Sequence, residues 1–108
     1  MPKPKVITSL SEIPGCKVLE NRDVRGPVKE MLELHGWFVV INWQGQFSHK
    51  GVADLVAMRH GETWWIECKK PGGKVSDDQD TFRKEVQGHG CNYLVAESVD
   101  DIMFLCKR

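Results

Sequence analysis

Three ionisable residues stand where strand logic makes them conspicuous. Asp54 is the only charge in the apolar run Val52-Ala53-Asp54-Leu55-Val56-Ala57-Met58. In Trp64-Trp65-Ile66-Glu67-Cys68-Lys69, Glu67 and Lys69 are two apart. On a strand they leave the same face, while Ile66 and Cys68 turn to the other, the expected core side. A hairpin through His60-Gly61-Glu62 would carry Asp54 alongside that face. Two carboxylates and an ammonium on one patch are what a Mg²⁺- or Mn²⁺-assisted hydrolysis needs. A hard cation of this kind takes one or two carboxylates and completes its shell with water and phosphate oxygens. It would polarise a phosphoryl oxygen and acidify a water, while the lysine orients that water or offsets charge developing on the phosphate. The same residues also fit a plainer reading, a strand-edge aspartate and a solvated Glu/Lys pair, and spacing alone does not choose between them.

The elements that would position this set are legible from periodicity. Residues 1–18 hold three of the five prolines and read as a loose arm, with one extended piece at residues 5–8; residues 19–108 form a single domain. From 20 to 35, Val24, Val28, Met31, Leu32 and His35 follow a helical stripe closed by Gly36. Gly26-Pro27 interrupts it, so the helix either kinks there or starts there with Pro27 in its first turn. Residues 37–43, 52–58 and 63–69 read as strands, with a polar loop over 44–50. After the breaker Pro71-Gly72-Gly73, Ser76-Asp77-Asp78-Gln79 has capping-box spacing ahead of a helix that runs to Gly88 or Gly90. A short buried strand over 91–96 and a closing helix over 98–104, capped by Ser98, complete an α-β-β-β-α-β-α order. The first three strands suit a meander, and strand three, helix and strand four a right-handed parallel crossover, giving an α/β fold with a mixed sheet flanked by helices.

Composition removes several classes. Fifteen Lys and Arg balance fifteen Asp and Glu across 108 residues, so the surface as a whole is no electrostatic glue for nucleic acid, although a basic rim around an acidic cleft remains compatible. Cys16, Cys68, Cys91 and Cys106 form no CxxC pair and the four histidines no HxxxH, which gives zinc no support and suggests free, reduced thiols. Without a signal-like segment or an apolar run of the ~20 residues that span a bilayer, a cytoplasmic protein is expected.

Taken in order, Gly51-x-x-Asp54, Ile66-Glu67-Cys68-Lys69, Ser76-x-x-Gln79 and Gly90 before a short strand resemble the PD-(D/E)XK nuclease superfamily. Within it the chain resembles the VRR-NUC domains that stand alone in phages or are fused to larger repair nucleases, over roughly residues 20 to 101. The resemblance implies a restriction-endonuclease-like fold and a metal-dependent DNA endonuclease, with Asp54, Glu67 and the Cys68 backbone carbonyl on the metal and Lys69 as the catalytic lysine. Gln79 matches the family's helix glutamine near the active site, yet it could equally just close a capping box with Ser76. Glu20 is the candidate helix-one acid, either an inward metal ligand or a solvated side chain; Glu30 and Glu33 fall off the apolar stripe and read as surface. Ala53 departs from the family, which usually has proline there.

For the DNA itself, His49, Lys50, Lys70 and Lys74 are candidates for phosphate contacts. Trp43 and Phe47 could stack on an unpaired base, Trp43 being expected instead in the core or an interface. One catalytic set per chain and four tryptophans read as strand residues suggest a homodimer acting on two-fold-symmetric or branched DNA, including four-way junctions. The rival expectations are a catalytically silent nucleic-acid-binding module of the same fold and, further off, a protein-interaction domain with no metal response.

Overall fold

The computed structural model describes residues 19–43, 45 and 48–107. The arm read over residues 1–18, with Cys16, and the aromatic Phe47 lie outside them.

At Gly26-Pro27 the α-helix begins, as one of the two alternatives has it. A π-helical segment, Glu20–Arg25, runs directly into α1, Gly26–Leu34, which has Pro27 in its first turn. Pro27 can offer no N–H to a continuing α ladder, and its ring would collide with the carbonyl four residues back; the wider π turn before it accommodates both. At the start of this segment Asp23 accepts the Leu19 N–H at 2.7 Å, and the Arg22 guanidinium beside it holds its carboxyl below the usual carboxylate range.

The sheet follows in the expected topology. β1 (Phe38–Ile41), β2 (Leu55–Arg59) and β3 (Glu62–Cys68) form an antiparallel meander. α2 (Asp77–Gly88) then returns the chain to β4 (Asn92–Ala96), which lies parallel to β3. Strand order is β1-β2-β3-β4. Two corrections to the sequence reading concern ends. β2 starts at Leu55 rather than Val52, leaving Asp54 in a bend before it. The closing helix is a 3₁₀ turn, Val99–Ile102, leading into α3, Met103–Cys106; Ser98 makes no side-chain cap, and Asp101 instead accepts the Glu97 N–H at 2.8 Å.

Alternation divides the sheet into two faces. Val39, Leu55, Ala57, Ile66, Cys68 and Ala96 meet Val28 and Leu32 of α1 and Ile102 and Leu105 of the C-terminal turns, all in one buried cluster. Trp37, which precedes β1, joins this core and donates its indole N–H to the Leu105 carbonyl at 3.2 Å, with the Arg59 guanidinium over its ring. On the other face α2 places Phe82 and Val86 against Trp65, Tyr93 and Val95. That cover stops short of β1, whose Phe38 and Val40 stay exposed. No helix among the described residues is long and apolar enough to cross a membrane.

Candidate active site

The register decides what meets at the end of the sheet. Leu55 pairs with Ile66, so the next step past the ladder sets Asp54 opposite Glu67. Here the main-chain ladder gives way to a side chain: the Cys68 N–H donates to Asp54 Oδ2 at 2.9 Å. This substitution is why Asp54 lies outside the strand that an alternation argument assigns it to. Its backbone is held from the other side by Asn42, a residue the sequence reading passed over. The Asn42 N–H donates to the Asp54 carbonyl at 2.8 Å and its side-chain amide to the Ala53 carbonyl at 2.9 Å. A polar residue closing a run of aromatic and β-branched residues was the available signal.

Glu67 is 2% exposed, so the plainer reading of a solvated Glu/Lys pair does not hold for it. Oε1 accepts from the Gln79 amide at 2.9 Å and faces Lys69 Nζ at 3.8 Å. Oε2 is buried and meets no donor, and the Glu67 carboxyl, when protonated, bonds to that of Asp54. Burial and then the Asp54 carboxyl push the Glu67 pKa up to about 8, and the attraction of Lys69 is too weak at that distance to reverse the effect. A carboxylate shut away from water beside a second carboxylate is a costly arrangement unless a proton or a cation stands between the two. Cys68 points the other way, into the main core, where burial pushes its thiol pKa up; what it can offer the site is main chain.

Gln79 does both things between which the sequence left a choice. Its Oε1 accepts the Ser76 N–H at 2.9 Å, and its backbone N–H donates to Ser76 Oγ at 3.2 Å, closing the capping box. Its remaining amide N–H then reaches Glu67. The amide orientation is fixed from both ends, since a backbone donor needs the oxygen and a carboxylate needs the nitrogen. The start of α2 is brought within reach by Gly51. At φ +72° it lies so close to α2 that a Cβ would stand 2.1 Å from the Asp78 carbonyl oxygen.

The remaining sequence candidates gather around this centre with differing closeness. Glu20, half-buried in the π-helical segment, lies near enough for its charge to act on both Glu67 and Cys68, and no hydrogen bond ties it to either. Lys50, Lys70 and Lys74 are exposed. His49 is exposed as well, with its ring edge-on to Phe82 at 5.5 Å. The Gly51–Asp78 contact brings the loop of His49 and Lys50 up against the end of the loop that carries Lys70 and Lys74. Trp43 is no core residue. It is 73% exposed, with the Arg25 guanidinium 5.5 Å from its ring centre. Among the described residues no three His, Cys, Asp or Glu side chains form a ready-made metal cage. The donor set is two carboxylates and main chain, which suits Mg²⁺ or Mn²⁺ rather than zinc.

The four-stranded mixed sheet between helices, with acids at the end of the β2–β3 hairpin and a helix glutamine folded onto them, defines a restriction-endonuclease-like domain of nuclease type. More narrowly, the chain is similar to a solved structure described as "VRR_NUC domain", at 25% sequence identity and a TM-score of 0.69, with 82% of this chain and 95% of that one covered. The resemblance carried by the motifs is thus shown in three dimensions, and the chain folds as a VRR-NUC domain. No protein-family model and no curated protein matches the chain.

Proposed function

We propose that the chain is a Mg²⁺- or Mn²⁺-dependent DNA endonuclease whose cation is held by Asp54, Glu67 and the Cys68 carbonyl. The observation that carries this reading is the facing, buried carboxyl pair, in which one Glu67 oxygen meets no donor and Asp54 raises the cost of its charge. A divalent cation relieves both defects at once. When bound, it supplies Lewis-acid activation of a phosphodiester and of water. The chain's own residues do the rest. Asp54 is held in place by Asn42, and Gln79 fixes the Glu67 carboxylate from the α2 side. Lys69, whose side chain is 13% exposed, keeps a partly dry ammonium beside the acids, placed to orient the attacking water or to offset negative charge building on the phosphate. Glu20 adds negative charge at the same point and is the candidate for an outer ligand.

Binding of DNA is supported by the exposed His49, Lys50, Lys70 and Lys74 as phosphate contacts. Trp43, exposed and backed by Arg25, suits a base freed from pairing and hence branched or flapped DNA, including four-way junctions. A homodimer is supported by a surface other than the tryptophans: Phe38 and Val40 expose apolar area on β1, the edge strand of the sheet among the described residues.

A cleavage panel of linear, flapped and four-way DNA with Mg²⁺, Mn²⁺ and Ca²⁺ tests the proposal. Cutting is expected with Mg²⁺ and Mn²⁺, best on branched DNA, and should be lost in Asp54→Ala, Glu67→Ala and Lys69→Ala. Binding without cutting under every cation would instead identify a silent module. Light scattering with and without DNA tests the dimer, and a single-chain mass in both would exclude it.

A further inference from the structure

Tyr93 is the only tyrosine of the chain, in β4 directly beside Trp65 of β3. Alternation turns its ring to the face that also carries Glu67 and that α2 covers, where it packs against Phe82 with ring centres 6.4 Å apart. The residue is 8% exposed, and its hydroxyl has no hydrogen-bond partner. A buried hydroxyl left in that state is destabilising, and a phenylalanine would fill the same space without the defect.

Among the described residues only two buried side-chain polar atoms lack a partner, the Tyr93 hydroxyl and Glu67 Oε2. They lie on the same face of adjacent strands. Of the charges acting on the hydroxyl that of Glu67 is the largest, followed by Arg83, Asp54 and Asp80. A buried hydroxyl donor with no acceptor, on the face that holds the two acids, points to an oxygen that arrives with the bound ligand.

We propose that Tyr93 is a positioning residue of the nuclease centre, its hydroxyl donating a hydrogen bond to an oxygen that enters between it and Glu67. This rests on the metal-dependent reading above. The oxygen can come from water accompanying the cation or from the DNA phosphate, and the two sources are separable by experiment.

The test is Tyr93→Phe in the full chain, beside Phe82→Leu, which disturbs the same apolar cluster but no hydroxyl. Without divalent cation, Tyr93→Phe is expected to melt a few degrees above the parent. A loss of about tenfold in Mn²⁺ affinity by calorimetry without DNA would assign the oxygen to the cation's water. An unchanged Mn²⁺ affinity, with a similar loss of affinity for a four-way DNA in Ca²⁺, would assign it to phosphate. The proposal is overturned if both affinities stay within about twofold of the parent, or if Phe82→Leu loses as much as Tyr93→Phe. A parent that neither binds Mn²⁺ nor cuts would remove the metal-dependent reading, and this inference with it. A parent that does both while Tyr93→Phe matches it removes the inference alone.

Discussion

On one side of the sheet, α1 and the C-terminal turns close over Val39, Leu55, Ala57, Ile66 and Ala96 with apolar side chains, thiols and one indole. On the other, α2 brings Phe82 and Val86 down on Trp65 and Tyr93, but the same layer buries Glu67 and leaves two polar atoms unpartnered. Ile66 and Glu67 are neighbours in sequence and almost equally buried, yet they belong to these two different environments. The first satisfies the rules of a stable core. The second violates them at the proposed metal centre, and departures of this kind are common at functional sites.

That contrast can be broken most forcefully at these two positions. Ile66→Ala should cost about 2–5 kcal/mol of stability while leaving cleavage per folded molecule close to the parent's. Glu67→Gln should do the opposite, cutting activity about a hundredfold or more while the metal-free protein melts no lower than the parent. Urea unfolding and a single-turnover cleavage assay on both variants give the comparison. If the two lose stability and activity in the same proportion, the faces do not differ in kind.

Gly51 tests whether the second face depends on docking α2. Gly51→Ala places a Cβ against the Asp78 carbonyl at a left-handed φ of +72°. Backbone strain of about 1–3 kcal/mol is expected before the clash is counted. Hydrogen exchange should localise the loosening to the first turn of α2 and spare α1. Loosening spread evenly through both helices would mean that the loop does not anchor α2 separately.

The pH dependence of stability gives a finer test. The folded-state pKa of Glu67 is raised from 4.5 to about 8, so the folded chain keeps a proton that the unfolded chain has released in between. The stabilisation from that proton is full below 4.5, declines as pH rises and is gone above about 8. Without divalent cation, urea midpoints should therefore fall across this window in the parent and stay flatter in Glu67→Gln. Added Mn²⁺ should help the parent more at the alkaline end. Equal slopes in both proteins would place the titration elsewhere.

The smallest expected effect separates the two tasks of Gln79. Ser76→Ala removes the hydroxyl cap but keeps the backbone N–H that orients the amide, so about 1 kcal/mol of stability should go with little change in turnover. Gln79→Ala should lose stability and turnover together. Matching profiles for the two would reduce the contact with Glu67 to an incidental one.

Periodicity and turn chemistry were enough to read the strand topology, the crossover and the start of α2 from the sequence, because each rests on local signals repeated over several residues. Asp54, Glu67 and Lys69 were legible because charge in an apolar strand is conspicuous. What escaped reading depended on contacts between distant segments. Asp54 substitutes its side chain for a ladder bond only because β3 brings the Cys68 N–H within its reach. The burial of Glu67 requires α2 overhead, and the two bonds of Gln79 require Gly51 to let that helix approach. The tryptophans were read as a surplus of aromatic surface, yet Trp37 is core, Trp64 packs edge-on against Phe104 and Trp65 against Phe82, which leaves only Trp43 broadly exposed. Tyr93 did carry a signal, since a lone tyrosine in a short buried strand must find something for its hydroxyl.

The most direct test of the central claim is a calorimetric Mn²⁺ titration of the parent, Asp54→Asn and Lys69→Ala without DNA. Asp54 is assigned to holding the cation and Lys69 to the reacting phosphate and water. The parent and Lys69→Ala should therefore bind with affinities within a few-fold of each other, about threefold at most, while Asp54→Asn loses about tenfold or more. Retained affinity in Asp54→Asn, with loss in Lys69→Ala, would contradict the account.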